Sequence, residues 1–138
     1  IKKSDAVISV LGGKFDGQDN TRSLGIKNII KQMDKANVKR IIALGGMGIL
    51  NAADNTMLID ADDYPVQFLP VGMEHLEAYQ YLGASDIINA DVTGLYHTAA
   101  NYLPVPNRFK INTGDLAMFM LNELKKNEYI KKRVGISN

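Results

Sequence analysis

Two short apolar runs in the chain each end on a pair of glycines. Ala6–Leu11 reads AVISVL, polar only at Ser9, and is followed by Gly12-Gly13. Val38–Leu44 reads VKRIIAL and closes on Gly45-Gly46. A short β-branched run without alternation predicts a strand buried on both faces, as in a parallel sheet. Between the runs lies a polar loop, Lys14 to Thr21, and then Ile26, Ile29, Ile30 and Met33. Those four positions fall at i, i+3, i+4 and i+7, one face of a helix predicted over Ser23–Lys35, with Asn37 as its stop. Strand, helix and strand within about 40 residues make a βαβ unit with a right-handed crossover.

The pattern loosens from 47 to 70, where Asn, Asp and Pro are frequent and no period holds. Loops of that length are usually functional or disordered. Val71–Leu82 predicts a helix, with Met73, Leu76, Tyr79 and Leu82 on related faces. After Ser85-Asp86 no further strand appears where the alternation of elements calls for one. The stretch to Ile111, with Pro104 and Pro106, reads as loop with short extended pieces. Asn112-Thr113-Gly114-Asp115 is a helix start, with a capping side chain and a first-turn carboxylate. Leu116, Phe119, Met120 and Leu124 give that helix an apolar face, Lys125 and Lys126 suit its negative end, and Arg133–Ile136 predicts a last short strand.

Composition narrows the functional classes. The 138 residues carry 16 basic and 15 acidic side chains, a net charge of +1. That balance gives no reason to expect nucleic acid or an anionic membrane as partner. The chain has no cysteine, which excludes disulfides, thiolate metal sites and cysteine nucleophiles. No apolar run approaches the ~20 residues that span a bilayer. The opening Ile-Lys-Lys-Ser-Asp has neither an initiator Met nor the apolar region of a leader, so upstream chain is expected to be missing and a cytoplasmic location is the default.

Candidate chemistry collects at the ends of the two strands. In an open parallel sheet, ligands bind in the crevice beyond the C-terminal strand ends. Gly12, Gly13, Gly45 and Gly46 sit there, and glycine lets a ligand approach the backbone. Against this stands the plainer reading of the pairs as turns. Lys14 offers a cation to a phosphate, unless it is a solvated loop lysine. His75, early in a predicted helix, can donate a hydrogen bond or act as an acid, although a lone histidine is more often structural. His97 has weaker support. Asp60, Asp62 and Asp63 lack the glycine and terminal glutamate of an EF-hand loop and read as a solvated loop, so no metal is expected. Tyr79 and Tyr81 read as packing or pocket wall.

Several of these stretches resemble the atypical short-chain dehydrogenase/reductase group, and within it the NmrA-like and NAD(P)H-flavin reductase (biliverdin reductase B-like) proteins. The residues that carry the resemblance are Asp5-Ala6-Val7-Ile8 through Leu11-Gly12, Gly25-Ile26-Lys27-Asn28-Ile29, Val38-Lys39-Arg40-Ile41-Ile42, Glu74-His75-Leu76, Thr93-Gly94-Leu95-Tyr96 and the helix INTGDLAMFML from Ile111. They keep the family's order along nearly the whole chain. The resemblance implies an α/β fold, a Rossmann-like doubly wound parallel sheet of which residues 1–138 are the C-terminal part. The N-terminal βαβ elements and one later strand, between Asp86 and Ile87, are absent from it.

It further implies NADP or NAD as cofactor, with Leu11, Gly12, Gly13 and Lys14 near phosphate and ribose and Leu44, Gly45, Gly46 and His75 near the nicotinamide. The chain departs from typical short-chain dehydrogenases in lacking their Tyr-x-x-x-Lys pair; His75 and Tyr79 form an i, i+4 pair instead. Proton-relay chemistry on an alcohol or ketone, and epimerase or dehydratase activity, are thereby disfavoured. Two expectations remain. One is a reductase passing hydride to a flat, flavin-like small molecule, with His75 the candidate catalytic residue. The other is a non-catalytic NAD(P) sensor that signals through a partner.

Overall fold

The computed structural model describes residues 3–52, 55–85, 97–102, 104, 111–126 and 128–137. Strand β1 (Val7–Ser9) pairs in parallel with β2 (Ile41–Ala43), Val7 beside Ile41 and Ser9 beside Ala43. The ladder runs on at both ends, where Val7 N–H donates to Arg40 O at 2.9 Å and Leu44 N–H to Ser9 O at 2.8 Å. Helix α1 (Thr21–Lys35) makes the crossover, as its apolar period requires. Its Ile26 and Met33 join Val38, Ile41 and Ala78 in one core, against which Val7, Leu11 and Ile29 pack. Met33 and Ile41 are wholly buried, and each such side chain stabilises by roughly 1.5–3 kcal/mol. The helix ends as expected: Asn37 takes a left-handed φ of 54° and its N–H donates to Asp34 O. At the other end the N-cap residue, Asn20, makes no side-chain cap, and Asp19 just before it accepts the Thr21 N–H at 2.8 Å through Oδ1.

The first strand departs from expectation. It is not buried on both faces: Ser9 is its buried residue, while Ile8 is 38% exposed and Val10, just beyond it, 61%. The cause is coverage, since α1 lies over one side and β2 is the single strand paired to β1 among the described residues.

Residues 47–68 hold three 3-10 turns, at Met47–Ile49, Leu58–Asp60 and Val66–Phe68. Helix α2 (Leu69–Gly83) follows, with a proline in its first turn, where no intrahelical donor is lost. Its buried positions are Val71, Gly72 and Ala78. Met73 is 51% exposed, because the stripe that meets the rest of the molecule is centred on Ala78 and on Gly72, where Ile59 and Tyr64 close in.

The remaining elements are β3 (His97–Ala100), α3 (Thr113–Lys126) and β4 (Val134–Ser137). β3 and β4 pair antiparallel, His97 beside Ser137 and Ala100 beside Val134. The Asn112 side chain starts α3 by accepting the Gly114 N–H at 2.8 Å. Phe119 and Met120 of α3 pack on Ile42, with Leu116, Leu124, Val134 and Ile136 around them, and so tie β4 to β2 through side chains. Arg40 and the wholly buried Glu123 form an ion pair at 3.4 Å, and the Arg40 guanidinium also donates to the Glu123 carbonyl. The architecture is mixed α/β, with a parallel pair and an antiparallel pair that no ladder joins among the described residues. The expected break between Asp86 and Ile87, and the Thr93–Tyr96 stretch, lie outside those residues. Among the described residues no helix is long and apolar enough to cross a membrane.

Candidate functional site

The Ser9–Leu44 hydrogen bond sets the two strand ends side by side, so the glycine pairs emerge on one rim. What faces each glycine differs. A Cβ on Gly12 would meet nothing within 4 Å. At Gly13 it would stand 2.9 Å from Asp19 Oδ1, at Gly45 3.0 Å from Ile49 Cδ1 and at Gly46 2.6 Å from His75 Cδ2. Three of the four glycines therefore owe their small size to packing within the rim, and Gly12 alone has open space against its backbone. Leu11 turns inward, its side chain filling the position that a Cβ on Gly25 would need.

The loop after Gly13 is braced by Arg22, a charged side chain only 6% exposed. Its guanidinium donates to Gly13 O at 2.9 Å and Lys14 O at 3.2 Å, and lies 5.7 Å from the Phe15 ring centre. Asp19 accepts the Lys14 N–H at 2.9 Å. Hydrogen bonds from the Thr21 side chain, then from the Lys14 and Thr21 N–H groups, hold its carboxyl at a pKa of about 2. The exposed Lys14 ammonium sits 4.0 Å from Asp16.

On α2, Glu74 accepts from both the N–H and the hydroxyl of Ser23, each at 3.1 Å, pinning the first turn of α1. The next residue, His75, lays its ring against Gly46. Burial, and secondarily the Arg22 charge, lower its pKa to about 4, so the imidazole is neutral at physiological pH.

Gly45, Gly46 and His75 open onto a cavity of about 510 Å³ between β2, α2, α3 and β4. That volume lies within the range of small-molecule sites. Its walls are apolar, with Ile42, Leu82 and Phe119 among them. One helical turn beyond His75, Tyr79 also lines it, with the Arg133 guanidinium 5.1 Å above the Tyr79 ring centre. The structure thus gathers Leu44, Gly45, Gly46 and His75 around one cavity and leaves Leu11, Gly12, Gly13 and Lys14 outside it, on the adjoining rim. His97 opens β3 at the pairing with Ser137. Asp60, Asp62 and Asp63 are exposed, and no three acidic or histidine side chains among the described residues are grouped to hold a metal ion. Arg22 and Arg133 escape a reading of the sequence, since neither spacing nor motif distinguishes them from solvated cations.

A family model described as NAD(P)H-binding matches residues 1–127. The chain belongs to that family. Its cofactor is NAD or NADP, and the Rossmann-like resemblance seen in the sequence is confirmed at this level.

Solved structures agree on the fold. A protein from Burkholderia pseudomallei, provisionally described as exported, aligns with a TM-score of 0.81 at 24% identity over 99% of this chain and 73% of its own. A Streptococcus pneumoniae protein, provisionally described as an NADH-flavin reductase, gives 0.73 at 21% identity over 97% and 71%. A Bacteroides thetaiotaomicron protein, provisionally described as an epimerase, gives 0.75 at 25% over 99% and 68%. No curated protein matches significantly.

The residues present fit a dinucleotide. Gly12 leaves its backbone open on the rim, a neutral imidazole stands beside Gly46, and an apolar cavity continues from there. Extended cofactors bind across strand ends in this manner.

Proposed function

We propose that the protein is an NAD(P)H-dependent oxidoreductase that passes hydride to a flavin or a similarly flat acceptor. The observation that carries this reading is the open backbone of Gly12 beside an apolar cavity walled by Gly45, Gly46 and His75, in a chain of the NAD(P)H-binding family. Gly12, Gly13 and Lys14, with Leu11 behind them, hold the phosphate and ribose side, and Leu44, Gly45, Gly46 and His75 hold the nicotinamide side. Residues 1–138 act as the C-terminal part of one such domain, and cytoplasmic action suits a user of reduced nicotinamide.

The bound cofactor supplies the hydride, two electrons with one proton, and the second proton comes from water. The chain's own contribution is to orient two flat rings and keep water from between them. His75 serves by hydrogen bonding and shape. With its pKa near 4 it carries no proton to give at neutral pH, so an obligatory acid role does not follow.

The test follows loss of reduced-nicotinamide absorbance with FMN and with riboflavin. Turnover with either supports the reading. Binding of NAD(P)H without turnover of any flat acceptor would favour the sensor, which the missing Tyr-x-x-x-Lys pair also allows. No binding at millimolar concentration in a folded sample would defeat both.

A further inference from the structure

The cavity has a charged side that hydride transfer does not use. Among the described residues its lining includes three consecutive cations, Lys131, Lys132 and Arg133, and no carboxylate. None of the ion pairs Lys14–Asp16, Lys39–Asp34 and Arg40–Glu123 involves Arg133, and among the described residues no carboxylate pairs with it.

Arg133 is nevertheless fixed in place. Its guanidinium donates to Ile49 O and, at 2.7 Å, to Asn51 Oδ1, and it lies over Tyr79. Its Nε–H is buried and has no hydrogen-bond partner among the described residues. A held, partly desolvated cation beside an apolar space has a standing electrostatic deficit, which an anionic ligand removes. The planar guanidinium suits a phosphoryl oxygen pair better than a point charge would. Tyr79 is four residues from His75 on α2, about 6 Å along the axis. One ligand can therefore meet both.

We propose that Arg133 is the anion anchor of the acceptor site, so that the cavity selects a flat conjugated acceptor bearing a phosphate, as FMN does, over its neutral counterpart riboflavin. This rests on the oxidoreductase reading for its chemistry, and the test separates the two. A charge-assisted hydrogen bond contributes about 1.5–3 kcal/mol, roughly a 10- to 150-fold difference in affinity.

The experiment compares KM for FMN and riboflavin in the parent, Arg133→Gln and Lys132→Gln proteins, alongside Tm. The parent is expected to favour FMN by at least roughly tenfold, Arg133→Gln to lose that preference by raising the FMN KM far more than the riboflavin KM, and Lys132→Gln to lose a smaller part of it. A purely structural clasp would raise both KM values together and lower Tm. Equal KM values in the parent, or parallel changes in Arg133→Gln, overturn the proposal. If Arg133→Gln does not fold, Lys132→Gln and inhibition by inorganic phosphate decide it: FMN turnover insensitive to both would overturn it. If neither flavin is reduced, flavin-fluorescence titration replaces KM. Tighter FMN binding that Lys132→Gln or Arg133→Gln weakens would uphold the anchor while the reductase reading fails.

Discussion

Replacing Gly12 by valine isolates the rim's role in binding from its role in folding. The position has no left-handed φ, and a Cβ there meets no atom within 4 Å. The added side chain therefore costs the fold little, within the ±0.5 kcal/mol or so typical of surface substitutions. A cofactor lying against that backbone would meet two new methyl groups. Overpacking of this kind costs about 1–3 kcal/mol, which is roughly a 5- to 150-fold weaker Kd.

Gly46→Ala provides the contrast. Its backbone is extended, at φ −99° and ψ 155°, and accepts alanine, yet the methyl would stand 2.6 Å from His75 Cδ2. The imidazole must swing away, so this variant loses stability, by about 1–3 kcal/mol, as well as nicotinamide placement. Calorimetric titration with NADPH and NADH, beside thermal melts, reads both effects. Gly12→Val binding within twofold of the parent would refute the rim assignment. A loss of Tm in that variant matching its loss of affinity would refute the separation of binding from folding.

Other substitutions carry their own signs. The pKa of His75 is depressed on folding, so the unfolded chain binds the proton more readily; the associated stability is present above the unfolded value near 6.5 and falls away as pH drops towards about 4. His75→Gln should flatten stability against pH in that window, as denaturant titrations at several pH values would show. His75→Ala should change turnover less than about tenfold, because the neutral ring is not an obligatory acid, and a pH–rate profile retaining the parent's shape would bear this out. Glu123→Ala strands Arg40 in the interior and should cost about 3–5 kcal/mol, a Tm loss of roughly 10 °C or more in a calorimetric scan.

What the sequence displayed was whatever repeats with a physical period. Ile26, Ile29, Ile30 and Met33 announced α1 because a helix returns every 3.6 residues to the same face, and Asn112 with Asp115 announced the start of α3 through local backbone chemistry. The parallel pairing of β1 and β2 followed from the helix between them. Among the described residues β1 is covered less than its apolar run implies, because apolar content reports a preference, whereas coverage depends on distant elements. The turns of 47–68 carry no period at all. At the candidate site, the glycine pairs marked two adjoining strand ends but not their separate surroundings, since whether a glycine faces Ile49, His75 or open space is decided by residues far along the chain. Arg133 acquires its character from Ile49, Asn51 and Tyr79, contacts no local signal encodes.

The separation of the described strands into two pairs also bears on how ligand occupancy and folding are linked. Sheets of only two strands are marginal by themselves, so side-chain packing, not the ladder, keeps β2 and β4 in place. Any ligand that fills the space between them favours the folded state by mass action. Ligand occupancy and folding are then linked, and the melting temperature should rise as NAD(P)H or FMN is added.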